Sequence, residues 1–93
     1  MEALTFNKIA NETFNQIIEI SDRKEFDYDL INDVLCIYTT HGEYVVNKHA
    51  PTEQVWLSSP MSGGHHFIWD QNLKSWISAK GQELFDLLDK EFN

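Results

Sequence analysis

Between Phe26 and Ile77 the chain is cut again and again into short alternating runs, and that punctuation decides what it can fold into. Phe26-Asp27-Tyr28-Asp29-Leu30 alternates strictly, and Asn32-Asp33 marks a turn. Phe26, Tyr28 and Leu30 are expected on the core side, Asp27 and Asp29 on the other. Val34–Thr39 is rich in β-formers. His41-Gly42 reads as a tight turn, and Glu43–Asn47 as its hairpin mate. Lys48–Pro51 connects to a strand over residues 51–58, where Val55 and Leu57 alternate with Gln54, Trp56 and Ser58. Pro60, Ser62, Gly63 and Gly64 interrupt the chain. His65–Trp69 reads as a further strand, Asp70-Gln71-Asn72 as a turn, and Ser75-Trp76-Ile77 as a short closing strand. Strands joined by turns this short pair with their sequence neighbours, which gives an antiparallel meander.

The two ends have the other periodicity. Over residues 4–21, Phe6, Ile9, Ala10, Thr13, Phe14, Ile17 and Ile20 recur at three- and four-residue spacing, with Glu12, Glu19 and Asp22 opposite. From Gly81 onward, Leu84, Phe85, Leu87, Leu88 and Phe92 predict a second amphipathic helix. The expected architecture is α+β. It is a two-layer sandwich of an antiparallel sheet of about six strands with two terminal helices on one face, as a single domain over residues 1–93. The other sheet face is left to solvent or to a partner, and Trp56 lies on it. Two readings of that indole stand: a docking anchor, or a ring covered by a neighbouring loop or strand.

Charge narrows the function classes. Fifteen acids against seven bases give a net charge of −8. That argues against nucleic acid and anionic membranes as partners and favours a cation or a basic protein face. Residues 1–33 hold eight acids and three bases, and residues 34–79 three and two, so the acidity is concentrated at the N-terminal end. No apolar stretch is long enough to span a membrane, and the first residues resemble neither a signal peptide nor a transit peptide. The protein is expected to stay where it is made. The lone Cys36 excludes an internal disulfide and fits a reducing, cytosol-like compartment.

Three constellations bear on chemistry. Glu12, Glu19, Asp22, Glu25, Asp27 and Asp29 lie on helix and strand segments joined by a short loop, so they can line one edge. Clustered carboxylates take hard cations through oxygen, and a plain solvated acidic face is the competing reading. His65 and His66 are adjacent in a strand and point to opposite faces, so they do not chelate one ion together. Ser58, Ser59 and Ser62 lack the strand-to-helix step of a nucleophile elbow. Cys36 is placed on the open face near Val34, Tyr38 and Val45, with no basic neighbour to activate it.

The order of these residues resembles the frataxin family, including the bacterial CyaY proteins. The likeness is carried by Tyr44-Val45-Val46-Asn47-Lys48, Pro51, Gln54-Val55-Trp56-Leu57-Ser58-Ser59-Pro60 and Ser62-Gly63. Trp69, Trp76 and the tail Gly81, Leu84, Leu87, Leu88 follow in order, so the resemblance covers about Phe6 to Phe92. It implies weak binding of iron, Fe2+ and Fe3+, along an acidic ridge. It also implies docking to the cysteine desulfurase and scaffold protein that build iron–sulfur clusters. Carried over by position, the ridge is Glu19, Asp22, Asp27 and Asp29, with Glu12 and Glu25 as weaker members. The partner contacts are Asn47, Gln54, Trp56 and Ser58, with His66 where relatives often carry a stronger base. Ile18 and Ile20 flank Glu19 where relatives are often acidic. The resemblance further implies a non-enzymatic protein, monomeric without iron and open to iron-driven oligomers. Its compartment would be the bacterial cytoplasm, or the mitochondrial matrix for a processed eukaryotic form. The alternative is a ferroxidase that oxidises Fe2+ and stores it.

Overall fold

The computed structural model describes residues 1–93. Helix α1 spans Ala3–Arg23. Six strands follow: β1 Asp27–Ile31, β2 Val34–Thr39, β3 Gly42–His49, β4 Gln54–Ser59, β5 Gly63–Asp70 and β6 Ser75–Ser78. Helix α2 spans Leu84–Phe92. The strands form one antiparallel sheet in the order β1-β2-β3-β4-β5-β6, each paired with its sequence neighbour. This is the α+β sandwich the alternation predicts.

Both helices lie on one face. Phe6, Ala10, Phe14 and Ile17 of α1 and Leu84, Leu87, Leu88 and Phe92 of α2 form one cluster with Leu35, Ile37, Tyr44, Val46, Val55, Leu57, Phe67 and Trp76 of the sheet. Helix α1 ends as Glu25 turns into the left-handed region at φ 62°. The Glu25 amide donates to the Asp22 carbonyl and the Phe26 amide to the Ser21 carbonyl, which satisfies two end carbonyls and brings Phe26 against the core. Neither helix is long and apolar enough to cross a membrane.

Several boundaries differ from the sequence expectation. Strand β4 begins at Gln54, not Pro51, because Ala50–Thr52 form a short 3-10 turn. Proline has no amide hydrogen to give a central ladder. Gly63 and Gly64 do not break the chain but open β5, opposite Ser59 and Ser58. His49 is the last residue of β3 rather than part of a connector. Helix α2 starts at Leu84, where the Glu83 side chain caps the Phe85 and Asp86 amides. Leu30 is 48% exposed although it leans to the core side, because β1 is an edge strand with nothing beyond it.

Gly42 opens β3 with φ 129°, and a Cβ there would stand 2.9 Å from Pro60 Cβ. Gly42→Ala is expected to destabilise the protein by about 2 kcal/mol, from backbone strain and this clash together. Urea denaturation checks it, and the nearby Gly64→Ala, where the added carbon meets nothing, is the control.

Candidate functional site

The ladder register sets which side chains share the open sheet face. Asp29, Cys36, Val45 and Ser58 lie in one row, and Val34, Asn47, Trp56 and His66 in the next. Asn47, Gln54, Trp56, Ser58 and His66 therefore all stand on this face, as the alternation predicts. Asp27 and Asp29 stand on it too, at its β1 edge.

Trp56 is half-buried, its ring faces covered by side chains of the neighbouring strands β3 and β5. Its ring lies between two imidazoles, His49 at 3.8 Å centroid distance and 11° between planes, and His66 at 4.2 Å and 10°. The indole Nε1–H donates to Gln54 Oε1 at 2.7 Å. His49 Nδ1 is 2.7 Å from Thr52 Oγ1, which fixes the outer ring. Three parallel rings so held lose little side-chain freedom when a partner arrives, which suits an interface anchor. His49 was missed in the sequence. Counting by two from the buried Tyr44 and Val46 puts Asn47 and His49 on the open face, so the signal was present.

The acidic residues are brought to one end only in part. Glu19 and Asp22 are exposed on the last turns of α1, Glu25 lies in the connecting turn, and Asp27 and Asp29 are exposed on β1. These five surround the β1 edge from both layers. Glu12 stands apart, in a cleft with Trp69, Lys74 and Glu83 beside β6, the opposite edge of the sheet. No three of the His, Cys, Asp and Glu side chains converge as a chelating group. Asp29 Oδ2 accepts the Tyr38 hydroxyl at 2.9 Å, a bond that pushes the Tyr38 pKa up to about 12. Cys36 faces Asp29 and lies near Glu43. Partial burial first, then these carboxylates, raise its pKa, so it is no thiolate nucleophile.

His65 and His66 separate as predicted: His66 is exposed on Trp56, and His65 is 6% exposed on the helix side. On that side lies a residue that sequence reasoning missed, Glu91, a buried carboxylate on α2. Glu91 Oε1 accepts Tyr44 Oη at 2.9 Å and Ser59 Oγ at 2.6 Å, and Oε2 accepts Ser62 Oγ at 2.6 Å. Burial pushes its pKa up, but the bonds from Ser59, Ser62 and Tyr44 outweigh that and hold it below the ordinary value. Burial and the bond to Glu91 carry the Tyr44 pKa up to about 12. Ser59 Oγ also accepts the Met61 and Ser62 amides, so Glu91 pins the β4–β5 turn beside the Trp56 face.

Comparison with known proteins agrees with this geometry. The family model described as "Frataxin-like domain" matches residues 1–93. The chain is 34% identical over 87 residues to "Frataxin homolog, mitochondrial" of Schizosaccharomyces pombe, covering 91% of this chain and 55% of that protein. It is 39% identical over 95 residues to "Frataxin, mitochondrial" of Arabidopsis thaliana, covering 92% of this chain and 51% of that one. The chain thus spans little more than half the length of these relatives. Among solved structures, frataxin from Psychromonas ingrahamii superposes with a TM-score of 0.82 at 26% identity, covering 99% of this chain and 90% of that one. Trimeric frataxin from Saccharomyces cerevisiae complexed with ferrous ion gives 0.75 at 28%, covering 98% and 82%.

Proposed function

This chain belongs to the frataxin family, and from that premise we propose that it is a non-enzymatic iron-binding protein of iron–sulfur cluster assembly. It holds iron in fast exchange at the β1 edge and docks the cysteine desulfurase–scaffold complex through the Trp56 face. The observation that carries this reading is that Asp27 and Asp29 share one open sheet face with the stacked Trp56. A partner seated on Trp56 lies beside the carboxylates. Glu19, Asp22 and Glu25 add charge at the same edge, and Glu12 contributes least because it lies at the other one. Scattered exposed carboxylates give weak, oxygen-only coordination to Fe2+ or Fe3+ rather than a resident metal centre. The apo protein is a monomer in this reading, and iron excess drives any oligomer. It works in a reducing compartment, the bacterial cytoplasm or the mitochondrial matrix.

The test is the rate of cluster formation on the scaffold by the desulfurase at fixed Fe2+, with and without this protein. The protein is expected to change that rate in proportion to dose. Trp56→Ala should weaken complex binding by about thirtyfold, the effect of losing a central aromatic anchor. Asn at positions 22, 27 and 29 together should weaken iron binding while leaving docking in place. An unchanged rate at several-fold excess, or full docking by Trp56→Ala, overturns the proposal. Fe2+ oxidation faster than in buffer would instead favour the ferroxidase reading, although no paired Glu and His ligands of a di-iron centre are present.

A further inference from the structure

One surface cleft breaks the acidic pattern. It lies between β5 and the segment after β6, has a volume of about 230 Å³, and is lined by Gly64, His65, His66, Ser78, Ala79 and Lys80. Four other clefts each include at least one carboxylate: Asp89, Glu12 with Glu83, Glu2, and Glu83 with Asp86. This one has none, in a chain of net charge −8, and its lining includes His65 and Lys80, with His66 beside them turning its ring to the other sheet face against Trp56. Lys80 makes no ion pair with the protein.

His65 supplies the second observation. It is 6% exposed, and its Nε2 is 2.8 Å from Ser62 Oγ. The Ser62 hydroxyl hydrogen is directed to Glu91 Oε2 at 2.6 Å, so the Ser62 oxygen accepts and His65 Nε2 carries the hydrogen. Nδ1 has no partner in the protein. No fully buried side-chain polar atom is left without one, so Nδ1 is reached from outside, through the cleft that His65 lines. A nearly buried ring thus has one nitrogen tied down from behind and the other free at a basic surface.

We propose that this cleft binds the oxyanion group, phosphoryl or carboxylate, of a small anionic ligand, with His65 Nδ1–H and the Lys80 ammonium as donors. With Nε2 already carrying a hydrogen, donation from Nδ1 requires a second ring proton. The second proton comes from solvent, or from the anion itself when it arrives in its monoprotonated form. The charged groups nearest the ring are Lys80 at the cleft and Glu91 behind Ser62, whose carboxylate is the counter-charge, while His66 turns to the other sheet face. The volume is below the roughly 300 Å³ at which pockets for drug-sized ligands begin, so the cleft fits a small anion or the terminal group of a larger one. This proposal is independent of the iron reading.

Titration with inorganic phosphate, without metal and at constant ionic strength, tests it by amide NMR. Saturable shifts are expected at Gly64, His65, Ala79 and Lys80, the residues that line the cleft. Lys80→Ala should weaken binding about tenfold, the loss of one charge-assisted hydrogen bond. His65→Gln should do the same, because glutamine keeps an N–H for Ser62 and removes Nδ1. Lys80 is exposed and makes no ion pair, so its replacement disturbs no packing and decides the matter alone if His65→Gln does not fold. Shifts that never saturate, or equal affinity in wild type and Lys80→Ala, overturn the proposal.

Discussion

Trp76→Ala removes about 4 kcal/mol of the stability of this protein, the upper range for truncating a buried aromatic. Trp76 is 1% exposed and is where β6 meets α1. Its indole N–H donates to Thr13 Oγ1 at 2.8 Å, across 63 residues of chain. Phe6 meets it edge to face at 6.1 Å and 86°, and Trp69 at 5.2 Å and 66°. Truncation opens a cavity between the layers and frees the end of α1 at once. A domain this size holds about 5–14 kcal/mol in total, so the loss is a large share of it. The expected fall in Tm is about 20 °C, read by circular dichroism. Trp76→Phe keeps most of the ring but gives Thr13 no donor, and should cost about 2 kcal/mol. If alanine cost no more than phenylalanine, the ring would not be the clasp between the layers.

Glu91→Ala is the second large effect, about 3 kcal/mol, because it strands three hydroxyl donors at once. Tyr44, Ser59 and Ser62 all point at this one carboxylate. The pH dependence gives a sharper check. The folded pKa of Glu91 lies below its unfolded value. Its charge therefore contributes stability that is fully present above the unfolded pKa and is lost as pH falls through the folded one. Tyr44 acts at the other end: with its folded pKa raised to about 12, its contribution is present below the unfolded value near 10 and is lost as pH rises through about 12. Glu91→Gln should flatten the acid limb of the stability profile, and Tyr44→Phe the alkaline limb. An acid limb unchanged in Glu91→Gln would show that other carboxylates govern acid unfolding.

The fold was legible because each layer has its own period. Phe6, Ala10, Phe14 and Ile17 declare a helix face, and Val55 and Leu57 declare a strand face, before any contact is known. The open-face residues followed from the same alternation, since Val55 and Leu57 inside put Gln54, Trp56 and Ser58 outside. Alternation says nothing of which strand lies at the edge, so it turns Leu30 to the core side, where the structure leaves it half exposed. Nor does it say where a helix crosses a sheet, and that crossing separates Glu12 from Asp27 and Asp29. Glu91 was hidden for another reason. Its only sequence sign is its place in the apolar stripe, three past Leu88, where a glutamate reads as exposed until three hydroxyls from other elements reach it.

The strict nearest-neighbour order of the sheet has a consequence for synthesis. Each hairpin closes on a stretch of chain just made, so pairing can begin while the ribosome is still working. The apolar face of those hairpins has only α1 to cover it until Leu84, Leu87, Leu88 and Phe92 have left the exit tunnel. A half-made chain therefore shows a greasy, paired sheet to the cell, and a holdase chaperone is the natural reader of that surface.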